Sequence, residues 1–406
     1  MEQNLKPEML LYDGIEADEE KVWLIVAKYN ALVEIERITG LMSLCGFIPI
    51  DTEVFNPFRY RCLLKFENKL FLFPHYEKDI CVYYIEERKF GYIQLDHERI
   101  KGNGAWKFSG CEKVDNKAVV FGFSSLVLIL DLCTFTLEYL DLNDTLQESL
   151  KIEYWFLRYG YIKDKKIFLT PLSYAYIVEI DIFSRNVEYY KLPEKGDVWI
   201  DNPVFVESKL YYFQRKEGKE VVLKSFDLKS GKLERYDLGI KRLNDVKVFG
   251  FAAYFNDTLW LLPGSCEFGF QFDLKRRKLD TINGLPVVPV SRLKNEFPYE
   301  FNYRNGIQTK NNHIIAVHAW SCQMVDIDMA SGYIKTVQIK KKESREWAKV
   351  YEELLDHFSG HDIKTEWMEG IFEAYIRKQN KFEESGNDSS MVNVGHIIYQ
   401  IIKNKD

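Results

Sequence analysis

The sequence lacks the features that mark a membrane, secreted or nucleic-acid-binding chain. No stretch of its 406 residues approaches the roughly 18 to 20 consecutive apolar residues needed to span a bilayer. The opening MEQNLKPEMLLYDG has no basic region followed by an apolar run, so no signal peptide is expected. The formal net charge is −6 with acids and bases interleaved, and the absence of a long basic stripe argues against nucleic acid as a partner. The seven cysteines, at 45, 62, 81, 111, 133, 266 and 322, are odd in number and scattered, mostly inside apolar runs. That pattern suits buried, reduced thiols rather than a disulfide framework, and points to the cytoplasm.

Catalytic signatures are missing too. There is no Gly-Lys-Ser/Thr phosphate loop, no Gly-x-Ser-x-Gly elbow and no His-Glu-x-x-His helix. Paired Cys-x-x-Cys motifs and an Asp-x-Asp-x-Asp-Gly calcium loop are also absent, so neither a metal nor a cofactor is expected.

What the chain has is a repeat. An apolar–Asp–apolar phrase followed by polar residues and a new apolar strand recurs along it. It reads Phe226-Asp227-Leu228-Lys229-Ser230-Gly231-Lys232-Leu233 in one copy and Ile327-Asp328-Met329-Ala330-Ser331-Gly332-Tyr333-Ile334 in another. Counting Glu36 and the degenerate Tyr84, the markers fall at 36, 84, 131, 181, 227, 273 and 328. Their steps of 48, 47, 50, 46, 46 and 55 match the spacing of propeller blades. Upstream of each marker a short polar turn precedes four or five strand formers. In three copies these end in Pro74, Pro171 and Pro263, ten residues before the marker, and His318 takes that slot in a fourth.

Each unit reads as four antiparallel strands, a to d, and in the fifth they fall near 198–205, 210–215, 221–228 and 233–238. One such sheet cannot bury both faces alone, whereas seven arranged radially can. The fold expected is all-β: a seven-bladed β-propeller of four-stranded antiparallel blades over residues 9–340, with a small α-helical C-terminal extension over 343–406. The extension shows three-and-four apolar spacing at Trp347, Val350, Tyr351, Leu354, Leu355 and Phe358. No strand borrowed from the opposite terminus is evident, so ring closure is assigned to side-chain packing or to the tail. The marker aspartates are read as turn residues, because an Asp before a tight turn accepts backbone N–H bonds and every blade shares the need.

The Asp-x-x-Ser/Thr-Gly-x-apolar turn at Asp227 to Leu233 and Asp328 to Ile334 resembles that of bacterial propellers of the broad kelch-like and quinoprotein-like class. The resemblance covers residues 9–340. The Trp-docking motif of quinoproteins and the double glycines of kelch repeats are missing, so no quinone cofactor or kelch-type partner is carried over.

Ligands of propellers usually bind where the d-to-a and b-to-c loops emerge around the channel. Ligand-binding candidates there are Phe58, Arg59, Trp106, Trp155, Arg158, Trp199, Tyr303 and Trp320, an aromatic collar with cations that, together with Arg61, could pair an anion. The competing reading has those aromatics wedged between blades as core. His75 and His318, with Glu77 or Glu267, are the acid–base candidates, against an ordinary structural role for each histidine. The leading functional expectation is a non-enzymatic scaffold binding a protein, peptide or glycan. The alternative is a propeller hydrolase or lyase acting on a glycan or peptide.

Overall fold

A computed structural model describes residues 12–26, 30–49, 59–100, 107–145, 155–171, 175–193, 200–215, 220–241, 248–288 and 302–341. The helical extension assigned to 343–406 lies outside these residues, as do Phe58, Trp106 and Trp199. The described chain forms seven antiparallel sheets, each laid down in sequence order. The innermost strand a of each blade runs over Tyr12–Ala17, Tyr60–Phe66, Phe108–Val114, Leu157–Lys163, Ile200–Val206, Phe249–Phe255 and Tyr303–Gln308. These seven strands neighbour one another around the central channel. In blade 5 the four strands are Ile200–Val206, Lys209–Arg215, Glu220–Asp227 and Leu233–Lys241, within three residues of the sequence reading. Among the described residues no helix is long and apolar enough to cross a membrane.

The core sits between blades rather than within them. Leu64, Phe71, Phe73 and Val82 of blade 2 pack on Phe108, Val120, Leu128 and Leu130 of blade 3. Trp260 and Leu262 of blade 6 meet Tyr303, Ile314, Ala316 and Val325 of blade 7 in the same way. Near-continuous apolar runs such as Leu126 to Leu130 follow from this, since each middle strand is covered on both faces. All seven cysteines are free thiols, four of them buried.

The turn between strands c and d is the most regular element. The residue four places after each marker is left-handed in all seven blades: Gly40, Arg88, Phe135, Arg185, Gly231, Arg277 and Gly332 have φ between 51° and 75°. Only three are glycine, so the conformation is imposed on arginine and phenylalanine in the rest at some cost. The marker carboxylate offsets that cost. Oδ1 of Asp181 accepts from the Phe183 and Ser184 N–H groups at 3.0 and 2.8 Å. The Arg185 N–H then closes on the Asp181 carbonyl at 2.9 Å. Asp131, Asp227 and Asp273 make the same pair of side-chain bonds. These bonds hold Asp131 and Asp181 below the usual carboxylate range.

Ring closure differs from the sequence expectation. A short strand, Lys340–Lys341, pairs in parallel with Leu41 and Met42 of blade 1, so the far end of the propeller does lend a strand to the first sheet. Two residues carry no sequence signal for pairing, which is why the strand was missed. Side chains complete the seam. The Tyr12 hydroxyl donates to the Asn305 carbonyl at 2.7 Å and accepts from the Val317 N–H at 3.4 Å. Arg304 pairs with Asp13 at 2.5 Å and Arg37 with Asp326 at 2.6 Å.

Gly40 and Gly231 occupy the same turn position with φ of 71° and 68°, which lets the strand clasp be measured. A Cβ on Gly231 would meet nothing within 4 Å, whereas one on Gly40 would lie 2.3 Å from the Gln338 carbonyl oxygen. Gly231→Ala should cost about 1–2 kcal/mol from left-handed strain alone. Gly40→Ala should cost about 3 kcal/mol or more, because the clasp must also move. Equal urea midpoints for the two variants would show that the seam does not depend on the clasp.

Candidate functional site

The channel mouth is built by register. The first residue of strand a pairs with the end of strand b in every blade: Tyr12 with Val26, Tyr60 with Pro74, Phe108 with Gly122, Leu157 with Pro171, Ile200 with Gln214, Phe249 with Pro263 and Tyr303 with His318. The proline slot read from the sequence is therefore a real position, and His318 occupies its equivalent. Immediately beyond this pair the ladder is irregular, as at a β-bulge, in six blades, while in blade 5 Asp201 still pairs with Phe213 and the irregularity follows it. Bulges re-aim a side chain and are frequent beside functional sites. The residues at this slot, blade by blade, are Asp13, Arg61, Ser109, Arg158, Asp201, Gly250 and Arg304.

These side chains converge. Arg61 of blade 2 feels the charges of Asp13, Arg304 and Arg158, from blades 1, 7 and 4. Arg304 is paired to Asp13. Arg158 lies 3.9 Å from Asp201, and its guanidinium stands over the Tyr159 ring at 5.3 Å. The Tyr159 hydroxyl donates to Asp201 at 3.3 Å. Arg61 alone of the three arginines has no carboxylate within 4 Å among the described residues. Burial, together with the neighbouring Arg304 and Arg158, pulls its guanidinium below its ordinary range. Burial likewise raises Asp13 in spite of Arg304 and Arg61, and its Oδ2 accepts no hydrogen bond among the described residues.

The acid–base candidates are placed around this ring, each with its own partners. In His318, Nδ1 accepts the Ser321 N–H at 3.0 Å, so the proton sits on Nε2, which donates to Asn302 Oδ1 at 3.0 Å. The Val288 N–H also bonds that oxygen, which fixes the amide's orientation. Burial holds His318 down at about 4. His75 donates from Nδ1 to the Phe108 carbonyl at 2.7 Å, and burial with the Arg61 charge pulls it down to about 3. The Glu77 carboxylate is ion-paired with Arg59, both fully buried, and Glu267 is exposed. Both histidines are thus neutral near pH 7 and sit in separate blades, 2 and 7.

Of the described aromatic candidates, Trp155 packs in the core between blades 3 and 4, its indole N–H donating to Asn143 at 2.8 Å. Tyr303 is fully buried in the blade 6–7 core, with its hydroxyl on the Pro286 carbonyl at 3.0 Å. Trp320 is partly exposed, and its Nε1 has no hydrogen-bond partner among the described residues. The aromatic surface that does reach the mouth is a different one. Phe123 and Phe156 stack at 4.0 Å and 18°, both half-buried. Phe123 and half-buried Tyr76 flank the His75 ring at 5.4 and 4.9 Å.

Farther along the a strands, Glu16 and Glu112 stand in mutual electrostatic reach, part-exposed to the channel but walled by protein. Burial raises Glu16 to about 7 and Glu112 to about 8, the latter also through Glu16. Among the described residues no group of three or more His, Cys, Asp or Glu side chains is disposed to hold a metal. Sequence reasoning missed Asp13, Asp201, Arg304, Glu16 and Glu112. The available signal was the residue following the first aromatic or aliphatic of each a strand, legible only once the strands are aligned by blade.

No protein-family model matches the sequence, and no curated protein does either. The fold is similar to solved propellers. Virginiamycin B lyase from Staphylococcus aureus matches at a TM-score of 0.57 and 11% identity, over 80% of this chain and 96% of that one. YCF48 from Cyanidioschyzon merolae matches at 0.57 and 11%, over 78% and 94%. The extracellular domain of a hybrid two-component system from B. thetaiotaomicron matches at 0.50 and 12%, over 82% of this chain and 40% of that one. At such identities the likeness is one of fold.

The histidine assignment fixes a pH dependence. Above an unfolded-state pKa of about 6.5 both states hold neutral histidine and no penalty arises. Below it the unfolded chain takes up protons that His318 and His75, held near 4 and 3, refuse in the fold. Stability should therefore fall as pH drops from about 6.5 toward 4, by up to about 1.4 kcal/mol per pH unit for each histidine. In thermal melts across that range His318→Gln should have a flatter slope than the parent. Parallel slopes would show that His318 takes its proton in the folded state.

Proposed function

We propose that this protein is a recognition scaffold that holds a protein, peptide or glycan ligand on the face where the d-to-a and b-to-c loops surround the channel. One observation carries this reading. The blades repeat their chemistry wherever a position serves the blade itself, as at the c–d turn, but at the mouth slot seven equivalent positions hold Asp, Arg, Ser, Arg, Asp, Gly and Arg. A buried or half-buried charge is expensive unless it is used, and apart from the seam pair Asp13–Arg304 these residues do not recur from blade to blade as a shared folding requirement would. Their diversity at one pseudo-symmetric ring suits the reading of an asymmetric ligand. The half-buried shelf of Phe123, Phe156 and Tyr76 adds apolar surface beside it.

A glycan or peptide lyase or hydrolase is the second reading, supported by the fold shared with virginiamycin B lyase. It requires a proton-transfer group poised near the working pH. Neither His75 nor His318 meets that requirement as placed, since each lies well below its ordinary value and spends ring nitrogens on structural bonds.

Peptide and glycan arrays probed with the labelled protein test the choice. A ligand found there should bind at least about tenfold more weakly to Arg158→Ala or Tyr76→Ala, a loss of about 1.4 kcal/mol. Arg276→Ala, exposed on an outer turn, should bind unchanged. Binding indifferent to both mouth variants would move the site elsewhere. Conversion of the ligand, abolished by His75→Gln or His318→Gln, would establish the enzymatic reading instead.

A further inference from the structure

We infer that the channel mouth is a carboxylate-binding site whose anchor is Arg61, taking a ligand with an apolar body next to its carboxylate. The inference rests on the recognition reading and names what is recognised. The ring holds three guanidinium groups and two carboxylates, from Arg61, Arg158, Arg304, Asp13 and Asp201. Two of the arginines are spent, Arg304 on Asp13 at 2.5 Å and Arg158 on Asp201 at 3.9 Å. Arg61 is left over, half-buried in the channel, with no carboxylate within 4 Å among the described residues, the charge of Asp13 reaching it only from farther off and those of Arg304 and Arg158 opposing it.

A desolvated guanidinium flanked by other guanidiniums is unfavourable until an anion joins it, and the planar fork of arginine suits a carboxylate bidentately. The count of charge favours a monoanion. One excess positive charge is matched by one carboxylate, whereas a phosphate dianion would overcompensate it and face Asp13 and Asp201 at short range. The apolar requirement comes from the same corner of the ring. His75 feels the Arg61 charge, and its ring is flanked by Phe123 and Tyr76, with Phe156 stacked on Phe123. A ligand seated on Arg61 therefore has an aromatic surface within reach for the carbon skeleton adjoining its carboxylate. Two sources supply this chemistry: a small apolar carboxylic acid, or a peptide ending in an apolar residue with a free C-terminal carboxylate.

Titration calorimetry at fixed ionic strength tests the site with four probes. These are 3-phenylpropionate, its neutral amide, N-acetyl-Ala-Ala-Phe as the free acid, and the same peptide as its C-terminal amide. At least one acid should bind saturably, its amide at least tenfold more weakly, and inorganic phosphate should compete poorly. Arg61→Gln should lose tenfold or more for the acid while Arg61→Lys keeps part of the affinity, and Arg276→Gln should match the parent. Tighter binding of the small acid would identify a metabolite-like ligand, and tighter binding of the peptide acid a protein C-terminus; either supports the site. The proposal is overturned if neither acid binds, if amides bind as well as acids, or if correctly folded Arg61→Gln binds undiminished. Array ligands that still bind the face of Arg61→Gln would then leave the recognition reading standing without the carboxylate.

Discussion

Every four-stranded blade in this chain is apolar on both faces, and the whole architecture follows from having to cover them. The middle strands carry uninterrupted apolar runs, Phe71 to Phe73 in blade 2 and Leu126 to Leu130 in blade 3, each fully or nearly fully buried. Burial of such side chains is worth roughly 1.5–3 kcal/mol apiece, but only if a second sheet supplies the other wall. Neighbouring blades do so in turn, and the last must find the first. The seam between blades 7 and 1 is where this obligation is met with directional chemistry: the Tyr12 hydroxyl, the Arg304–Asp13 and Arg37–Asp326 pairs, and the two-residue parallel strand.

That seam joins stability to the candidate site. Asp13 and Arg304 bridge the first and last blades and also occupy the ring slot at the channel mouth. The pair helps close the propeller and, by neutralising itself, leaves Arg61 as the arginine of this ring with no carboxylate within 4 Å among the described residues. His318 shows a related economy. It stands in the slot that proline fills in three blades but, unlike those prolines, also pairs with Gln323 of the next strand, and its ring ties Ser321 and Asn302. Histidine in a loop around a channel invites a catalytic interpretation, but both ring nitrogens answer to neighbours.

The repeating and non-repeating positions thus divide the work. Marker aspartates and the left-handed turn position recur because each hairpin needs the same backbone path. Mouth residues vary because they face one shared space rather than seven separate ones. Glu16 and Glu112 follow that logic farther along the a strands, where burial raises both carboxyls toward neutrality, Glu112 also through the charge of Glu16.

Blade count, strand order and the turn role of the aspartates were legible in the sequence, since they depend on spacing within some fifty residues and on local hydrogen bonding. Even the degenerate Tyr84 and the long step before Asp328 did not disturb the count, because apolar periodicity outweighs any single turn residue. The strand clasp, the tautomer of His318 and the convergence of Arg61, Arg158 and Arg304 were not legible. Each depends on residues tens to hundreds of positions apart being brought together, and on bulges that turn particular side chains inward. The sequence by itself determined a ring of seven sheets, because local pattern dictates strands and exposed apolar faces demand partners. Only the tertiary structure decided which charges meet in the channel and which of the described ones pair, because electrostatic neighbours are set by distance in space and not along the chain.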